Sequence, residues 1–367
     1  MWKKRYSFCW RAGWCIVSSN EPRRPLNGTF ELTGRCDLHC KMCLMRVDAP
    51  RMEALGLRER TAEEWIDMAR QAAQAGTLGL LLTGGEVMLR PDFCEIYEAI
   101  ARMGFVLTLY TNATLVTDPV MKVLRRYPPH RIGVTMYGAC NETYQRLCGC
   151  ADGYDRFAAG VRQLAALPSR FEMRTTIVQD NLADLPAMRA FTARMFGPDK
   201  KLQISRNVVR TIRGGVACPE QVRLTPEQNV DLVFPGLRAL GGRPAGPGPK
   251  LVLRHRLPEQ GYLFGNCGAG VTEYAVSWAG RMYACEMTPA GYTEPFEEGF
   301  AAAWARLPEQ YPPARPVEAC STCRYAAVCE TCPANRYAET GDWFGVPEYA
   351  CREAETVYQL LSDAGAF

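Results

Sequence analysis

The sequence predicts an α/β protein, a partial (β/α)6 barrel followed by a small cysteine-rich domain with a β-hairpin and short helices. Apolar runs typical of buried strands alternate with helical patterns six times between residues 28 and 234. This alternation requires parallel strands joined by right-handed crossovers. A stretch rich in glycine and proline follows at residues 235–260, and cysteines are concentrated beyond it.

Composition limits the classes of function. Hydrophobic residues make up 47% of the 367 residues and charged residues 22%, as in globular proteins with a large core. The net charge of +4 is too small to favour nucleic acid or an anionic membrane as a partner. No run of about 18 apolar residues occurs and no signal peptide is evident, so we expect no membrane span. Seventeen cysteines, clustered at ligand-like spacings, favour metal over disulfides, so we expect a cytoplasmic protein.

Four segments are predicted along the chain. Residues 1–27 are aromatic-rich and predict a short hairpin that caps the barrel, residues 28–234 form the barrel, residues 235–260 the linker, and residues 261–367 the cysteine-rich domain with a C-terminal helix. The six predicted barrel strands are residues 29–33, 78–82, 105–110, 131–137, 171–178 and 201–206. The predicted helices include residues 92–103, 154–167 and 182–196, one that begins at Asp118, and two that begin with capping boxes at Thr61 and Thr225.

The first strand runs into three thiols, Cys36-x3-Cys40-x2-Cys43. Clustered thiols in a long, apolar chain favour metal binding over disulfides. A structural zinc site needs four ligands, and only His39 lies beside the three thiols. Three thiolates on a four-iron cluster leave one iron free to bind another ligand. The loop therefore predicts a catalytic iron–sulfur site at the carboxyl end of the barrel, where functional residues of such folds lie.

Further polar motifs follow the next strands. Gly84, Gly85 and Glu86 come after the second strand, where glycines allow a ligand to approach the backbone and an acid can accept hydrogen bonds from an ammonium group. Asn112 follows the third strand. Arg174 lies on the fifth strand, and a charge inside a barrel requires a partner.

These motifs together resemble those of the radical S-adenosylmethionine (SAM) family. The resemblance implies a 4Fe-4S cluster on Cys36, Cys40 and Cys43, and reductive cleavage of SAM to methionine and a 5′-deoxyadenosyl radical. It also implies an electron donor such as flavodoxin or ferredoxin. The residues that it implies in SAM binding are Met42, Gly84, Gly85, Glu86, Asn112, Thr135 and Arg174.

Each of these residues has an expected role by resemblance. Glu86 and the two glycines hold the SAM amino group, Thr135 meets the ribose and Arg174 the methionyl carboxylate, while the backbone of Met42 lies near the adenine. Ala113 stands where the family has glycine, which argues against an unusual backbone angle there.

The tail resembles a SPASM domain, which carries auxiliary clusters. Its spacing is Cys267-x12-Gly280-x4-Cys285, then Cys320-x2-Cys323-x5-Cys329-x2-Cys332, and finally Cys351. Gly280 predicts a hairpin turn between the first two cysteines. The resemblance implies a nearer 4Fe-4S cluster on Cys267, Cys285 and Cys332, and a farther one on Cys320, Cys323, Cys329 and Cys351, giving three clusters in all. Two auxiliary clusters need eight ligands, for which His255 and Cys218 are further candidates.

The resemblance implies a peptide or protein substrate. The preferred reaction is the maturation of a ribosomally made peptide by a thioether or carbon–carbon cross-link, with Glu286 as a candidate catalytic base beside Cys285. Alternatives are formylglycine formation in a sulfatase and maturation of a peptide-derived cofactor. A different class, a zinc-ribbon or iron–sulfur electron-transfer protein without SAM chemistry, rests on Cys320, Cys323, Cys329 and Cys332 as a zinc site.

Overall fold

The computed structural model describes residues 6–9, 14–17, 23–205, 208–210, 212–234, 263–264 and 267–363. The strands of these residues are β1 (Tyr6–Cys9), β2 (Trp14–Val17), β3 (Asn27–Glu31), β4 (Gly79–Thr83), β5 (Val106–Thr111), β6 (Arg131–Thr135), β7 (Arg170–Thr176), β8 (Gln203–Ser205), β9 (Glu273–Val276) and β10 (Met282–Tyr283). The helices are α1 (Ala49–Ala54), α2 (Ala62–Gln74), α3 (Phe93–Ala101), α4 (Asp118–Arg126), α5 (Asn141–Cys148), α6 (Gly153–Leu164), α7 (Leu185–Phe196), α8 (Pro226–Val233), α9 (Pro295–Glu298), α10 (Phe300–Arg306), α11 (Glu318–Ser321), α12 (Pro333–Thr340) and α13 (Glu348–Asp363).

The main sheet has the order β10-β9-β3-β4-β5-β6-β7-β8. Strands β3 to β8 are parallel neighbours in chain order, which confirms the predicted partial (β/α)6 barrel. β1 and β2 form a separate antiparallel pair, the predicted N-terminal hairpin. The predicted linker at residues 235–260 lies outside the described residues.

The two faces of the barrel sheet differ in chemistry. Phe30 is fully buried and its ring centroid lies 5.0 Å from that of Trp65 on α2, so this face of β3 is covered by helices. Glu31 is the next residue and faces the opposite side, because side chains alternate along a strand. The register pairs Glu31 with Thr83, and Tyr110 with Gly133. The barrel therefore has an apolar outer face and a polar interior.

The tail hairpin extends the barrel sheet. β9 pairs parallel with β3 and antiparallel with β10, so the edge of β3 is covered by residues that follow the barrel in sequence. Gly280 has a φ of +86° in the turn, and a Cβ there would lie 2.4 Å from Arg60 Nε. The hairpin predicted from Gly280 is confirmed, and it is continuous with the barrel.

Local chemistry explains the helix boundaries. Thr61 caps α2 and Thr225 caps α8, both in capping boxes as predicted. The predicted helix at 182–196 begins instead as a 3-10 helix, Gln179–Asp184, and continues as α7 with Pro186 in its first turn. Helices α1 and α5 were not predicted. No helix in the described part of the chain is long and apolar enough to cross a membrane.

Candidate functional site

The three-thiol loop lies at the carboxyl end of β3, as predicted. Two backbone hydrogen bonds fix it to α5, from His39 N to Cys148 O at 2.8 Å and from Lys41 N to Leu147 O at 3.0 Å. Backbone amides also point at the sulfur atoms. Leu38 N lies 3.4 Å from Cys36 Sγ, and Arg46 N lies 3.2 Å from Cys43 Sγ. Amides in these positions stabilise thiolates.

The thiols of Cys36, Cys40 and Cys43 are close enough to influence one another. Burial and the Glu86 carboxylate raise the pKa of Cys36, and burial together with Cys40 raises the pKa of Cys43. A hydrogen bond with Cys148, followed by burial, raises the pKa of Cys40. Buried thiolates at this spacing require a positive centre. The donor set therefore fits an iron–sulfur cluster.

Asp37 ties this loop to two other elements. Its Oδ1 accepts a hydrogen bond of 2.9 Å from Asn112 Nδ2. Its Oδ2 accepts from Thr114 Oγ1 at 2.6 Å and from Arg156 Nη2 at 2.8 Å. These partners were not predicted. The available signal was an acidic residue directly after a predicted cluster ligand, since a charge that is drawn into the protein there needs a counter-charge.

Asn112 supports the cysteine loop directly. Its Nδ2 lies 3.7 Å from Cys36 Sγ, and its Oδ1 accepts from Thr114 N at 2.9 Å. The expectation of an ordinary backbone angle at Ala113 is wrong, because its φ is +62°. The physical reason is tertiary packing. Gly160 of α6 lies against the Ala113 carbonyl oxygen, where a Cβ would stand only 1.9 Å away.

Gly84, Gly85 and Glu86 pack against the residues that lead into Cys36. A Cβ at Gly85 would lie 2.1 Å from Arg35 O, and Glu86 N donates to the same oxygen at 2.9 Å. Glu86 Oε1 accepts from Met88 N and Thr111 Oγ1, and Oε2 accepts from Asn112 N at 2.7 Å. Burial raises the pKa of Glu86 to about 7. Glu86 therefore joins the ends of β4 and β5; its contact with a SAM amino group stays a prediction.

Thr135 and Arg174 are register partners near the ends of β6 and β7. The guanidinium carbon of Arg174 lies 4.1 Å from the centroid of the Tyr110 ring. Gly133 makes this possible, since a Cβ there would lie 2.6 Å from Tyr110 Cδ1. Met42 is buried in the core. The structure thus brings Thr135 and Arg174 to one edge of the barrel interior.

Glu286 lies near two other buried carboxylates, Glu31 and Glu273. Burial raises the pKa of Glu31 to about 7, the Arg213 guanidinium opposes this shift, and Glu286 adds to it. Burial and Glu286 raise the pKa of Glu273 to about 7. Glu286 also influences Tyr110. Glu286 therefore faces the barrel interior, near two acids that no sequence motif indicates.

The comparison with known families identifies the domain that contains the cysteine loop. The model of the radical SAM superfamily matches residues 30–191, a range that begins in β3, ends in α7 and contains the cysteine loop and every strand-end residue described above. Residues 30–191 are a radical SAM domain. A domain of this family implies SAM and one 4Fe-4S cluster as cofactors.

The relatives differ in the share of this chain, and of their own length, over which they match. The AdoMet-dependent heme synthase of Methanosarcina barkeri is 26% identical over 91% of this chain and 97% of the relative. The PqqA peptide cyclase of Gluconobacter oxydans is 26% identical over 47% of this chain and 48% of the relative, so the match spans about half of that cyclase. SuiB of Streptococcus suis has a solved structure with a TM-score of 0.64 and 16% identity, over 91% of this chain and 78% of SuiB, which shows a shared fold.

The tail thiols form two groups. Burial and Glu286 raise the pKa of Cys285, and Cys267 and Cys332 add to the shift. Burial raises the pKa of Cys351, with further contributions from its neighbours in the second group; these neighbours are Cys329, Cys320 and Cys323.

Donors accompany both groups of tail thiols. Met287 N lies 3.4 Å from Cys285 Sγ, and Arg336 Nη2 lies 3.5 Å from Cys320 Sγ. Among the described residues, no three His, Cys, Asp or Glu side chains are arranged to hold a single metal ion. Of the two further ligand candidates, Cys218 is exposed, and His255 lies outside the described residues.

Proposed function

We propose that this protein cleaves SAM at a 4Fe-4S cluster held by Cys36, Cys40 and Cys43, and modifies a peptide substrate by hydrogen abstraction. When bound, the cluster supplies the electron that splits SAM into methionine and a 5′-deoxyadenosyl radical. The amides of Leu38 and Arg46, aimed at two of the sulfur atoms, support this assignment.

The chain's own residues position the reactants. Asp37 and Asn112 hold the cysteine loop against the end of β5, so the thiols keep a fixed geometry. Gly84 and Gly85 allow the end of β4 to pack closely against Thr33 and Arg35, which places Glu86 beside the cysteine loop. Thr135 and Arg174 supply a hydroxyl and a guanidinium at the same edge, which suits the ribose and carboxylate of SAM.

The observation that carries the peptide assignment is the position of Cys285 and Glu286. Both directly follow the hairpin, and Glu286 faces the same polar interior as Tyr110 and Glu31. A cross-link formed after hydrogen abstraction releases one proton and one electron. Glu286 takes the proton in the proposal, and the auxiliary clusters, when bound, would take the electron. Relatives support a peptide: one is named a PqqA peptide cyclase, and another structure of SuiB is bound to the precursor peptide SuiA.

Two auxiliary 4Fe-4S clusters complete the proposal. Cys267, Cys285 and Cys332 hold one of them, and the mutual influence of their thiols supports this grouping. The second set is Cys320, Cys323, Cys329 and Cys351, grouped by the same kind of influence. An electron donor such as flavodoxin or ferredoxin belongs to the proposal as well.

A second candidate is modification of a tetrapyrrole. The heme synthase of Methanosarcina barkeri aligns with 91% of this chain and 97% of its own length, which is more than the cyclase match covers. The two candidates differ in the molecule that loses a hydrogen atom. They can therefore be separated without knowing the natural substrate.

The test measures the transfer of deuterium from a labelled substrate to 5′-deoxyadenosine. The reconstituted enzyme is incubated anaerobically with SAM, dithionite and a pool of perdeuterated peptides, or with deuterated iron coproporphyrin, and 5′-deoxyadenosine is analysed by mass spectrometry. We expect deuterium in 5′-deoxyadenosine from the peptide pool alone. Deuterium from the porphyrin and none from the peptides would instead establish the second candidate.

A further inference from the structure

Arg213 links the segment after the last barrel strand to the first barrel strand. It lies in the segment between β8 and α8, and its side chain forms an ion pair with Glu31 on β3; the exposed fractions of the two side chains are 6% and 2%. Backbone hydrogen bonds fix the segment to the residues after Cys43, from Ile212 N to Leu44 O at 3.0 Å and from Val216 N to Arg46 O at 3.1 Å. The guanidinium is therefore held rigidly beside the cysteine loop.

The guanidinium is only partly satisfied. Its Nη2 contacts Glu31 and lies 2.7 Å from Met45 Sδ, and its carbon lies 4.7 Å from the centroid of the Tyr283 ring. Its Nη1 is buried and has no hydrogen-bond acceptor among the described residues. A buried donor without an acceptor is unfavourable. Arg213 Nη1 can therefore donate a hydrogen bond to a further ligand.

The backbone of Arg213 is also unfavourable. Its φ is +50°, in the left-handed region that residues with a Cβ rarely occupy. Such strain persists where the surrounding structure imposes it, and it is concentrated at functional sites. An unpaired buried donor and a left-handed backbone thus coincide in one residue, on the interior side of the barrel.

We infer that Arg213 Nη1 binds a backbone carbonyl oxygen of the peptide substrate, an inference that rests on the proposed function. Charge selects a neutral acceptor. Glu31 already balances the guanidinium, and Glu286, which follows the hairpin, lies close enough to Glu31 to add a second negative charge. A carboxylate would add a further negative charge to this group, whereas an amide oxygen accepts the hydrogen bond and adds none.

In this role Arg213 is a positioning residue. It lies between the cysteine loop, through Met45, and the hairpin, through Tyr283. A peptide carbonyl held there fixes one point of the substrate backbone between the cysteine loop and the hairpin that precedes Cys285. Fixing a substrate beside the site of hydrogen abstraction favours one carbon–hydrogen bond over its neighbours.

The test compares Arg213→Lys with wild type in the deuterium assay, over a range of peptide-pool concentrations. Lysine keeps the charge for Glu31 but has no second nitrogen for the carbonyl oxygen. We expect the half-saturating concentration to rise about tenfold, equivalent to about 1.4 kcal/mol, with a smaller change in maximal rate. The matched control is Arg51→Lys, an exposed arginine whose Nε contacts Gly214 O in the same segment. An unchanged half-saturating concentration in Arg213→Lys would overturn the inference.

A second measurement separates this inference from the proposed function. If wild type takes no deuterium from peptides, the proposed function fails. The role of Arg213 is then tested by a binding measurement. Wild-type holoenzyme labelled at arginine is titrated with N-acetyl-glycyl-glycine N-methylamide and, separately, with N-acetyl-glycyl-glycine, and guanidinium signals are followed by NMR. The Arg213 signal is identified by its loss in the lysine variant, or in Glu31→Gln/Arg213→Gln if that variant does not fold. A shift with the neutral amide supports the inference; no shift, or tighter binding of the carboxylate, contradicts it.

Discussion

The side-chain amide of Asn112 donates a 2.9 Å hydrogen bond to Asp37 and lies 3.7 Å from Cys36 Sγ. This contact joins the end of β5 to the first cysteine of the loop. The backbone amide of Asn112 donates to Glu86 at the end of β4. The positions of the thiols therefore depend on the ends of two neighbouring strands.

Removal of the Asp37 carboxylate should loosen the cysteine loop. Asp37→Ala leaves Arg156 and Thr114 without their shared acceptor. Loss of a group that orients the metal ligands costs about 10–100-fold in metal affinity or activity. We expect a loss of this size in 5′-deoxyadenosine formation, together with less iron per chain. Asp152→Asn is the control, because Asp152 also contacts Arg156, at 3.8 Å, but is largely exposed. Wild-type iron content and activity in Asp37→Ala would contradict this role.

Gly160→Ala should destabilise the protein although it lies within a helix. In a helix interior, alanine is favoured over glycine by about 1 kcal/mol. The new Cβ would stand 1.9 Å from Ala113 O, so we expect a net loss of about 1–3 kcal/mol. Denaturant unfolding measures the change. Ala159→Gly at the neighbouring exposed position should lose about 1 kcal/mol from propensity alone. A Gly160→Ala variant more stable than wild type would refute the close approach.

The sequence predicted those features whose causes are local. Six strands and two capping boxes follow from short patterns, and parallel pairing brings Gly84 and Asn112 to one edge. The left-handed angle at Ala113 occurs where Gly160, which is distant in sequence, packs against the Ala113 carbonyl oxygen, and no local pattern indicates it. The salt bridge of Asp37 with Arg156 likewise joins residues far apart in the chain. Tertiary contacts decided each of these features.

The two proposed auxiliary clusters can be tested separately through the iron content of Cys285 and Cys351 variants. If Cys285 and Cys351 serve different clusters, each alanine variant should lose about four irons and the double variant about eight. Iron and sulfide analysis after anaerobic reconstitution measures this. Cys94→Ala should keep the wild-type iron content. Equal iron in the single and double variants would contradict two centres, and zinc in place of iron would establish the zinc ribbon.

Glu273 should reduce stability as the pH rises. Its pKa is raised from 4.5 to about 7 by burial and by Glu286, so the native state binds more protons than the unfolded state between these values. Stability therefore falls as pH rises from about 4.5 to 7, by up to about 3 kcal/mol from this group. Glu273→Gln should match wild type at pH 4.5 and be more stable at pH 8 in denaturant unfolding. The control is Glu63→Gln on the exposed face of α2, and equal pH dependence in wild type and Glu273→Gln would rule out this effect.

The most direct test of SAM cleavage at the Cys36 loop is 5′-deoxyadenosine formation by a variant with Cys36, Cys40 and Cys43 all replaced by alanine. Wild type and variant are reconstituted anaerobically, their iron is counted, and each is given SAM and dithionite. We predict that the variant loses about four irons per chain, retains the iron of the tail, and forms no 5′-deoxyadenosine. Continued 5′-deoxyadenosine formation by a variant with intact tail clusters would contradict the assignment of this loop.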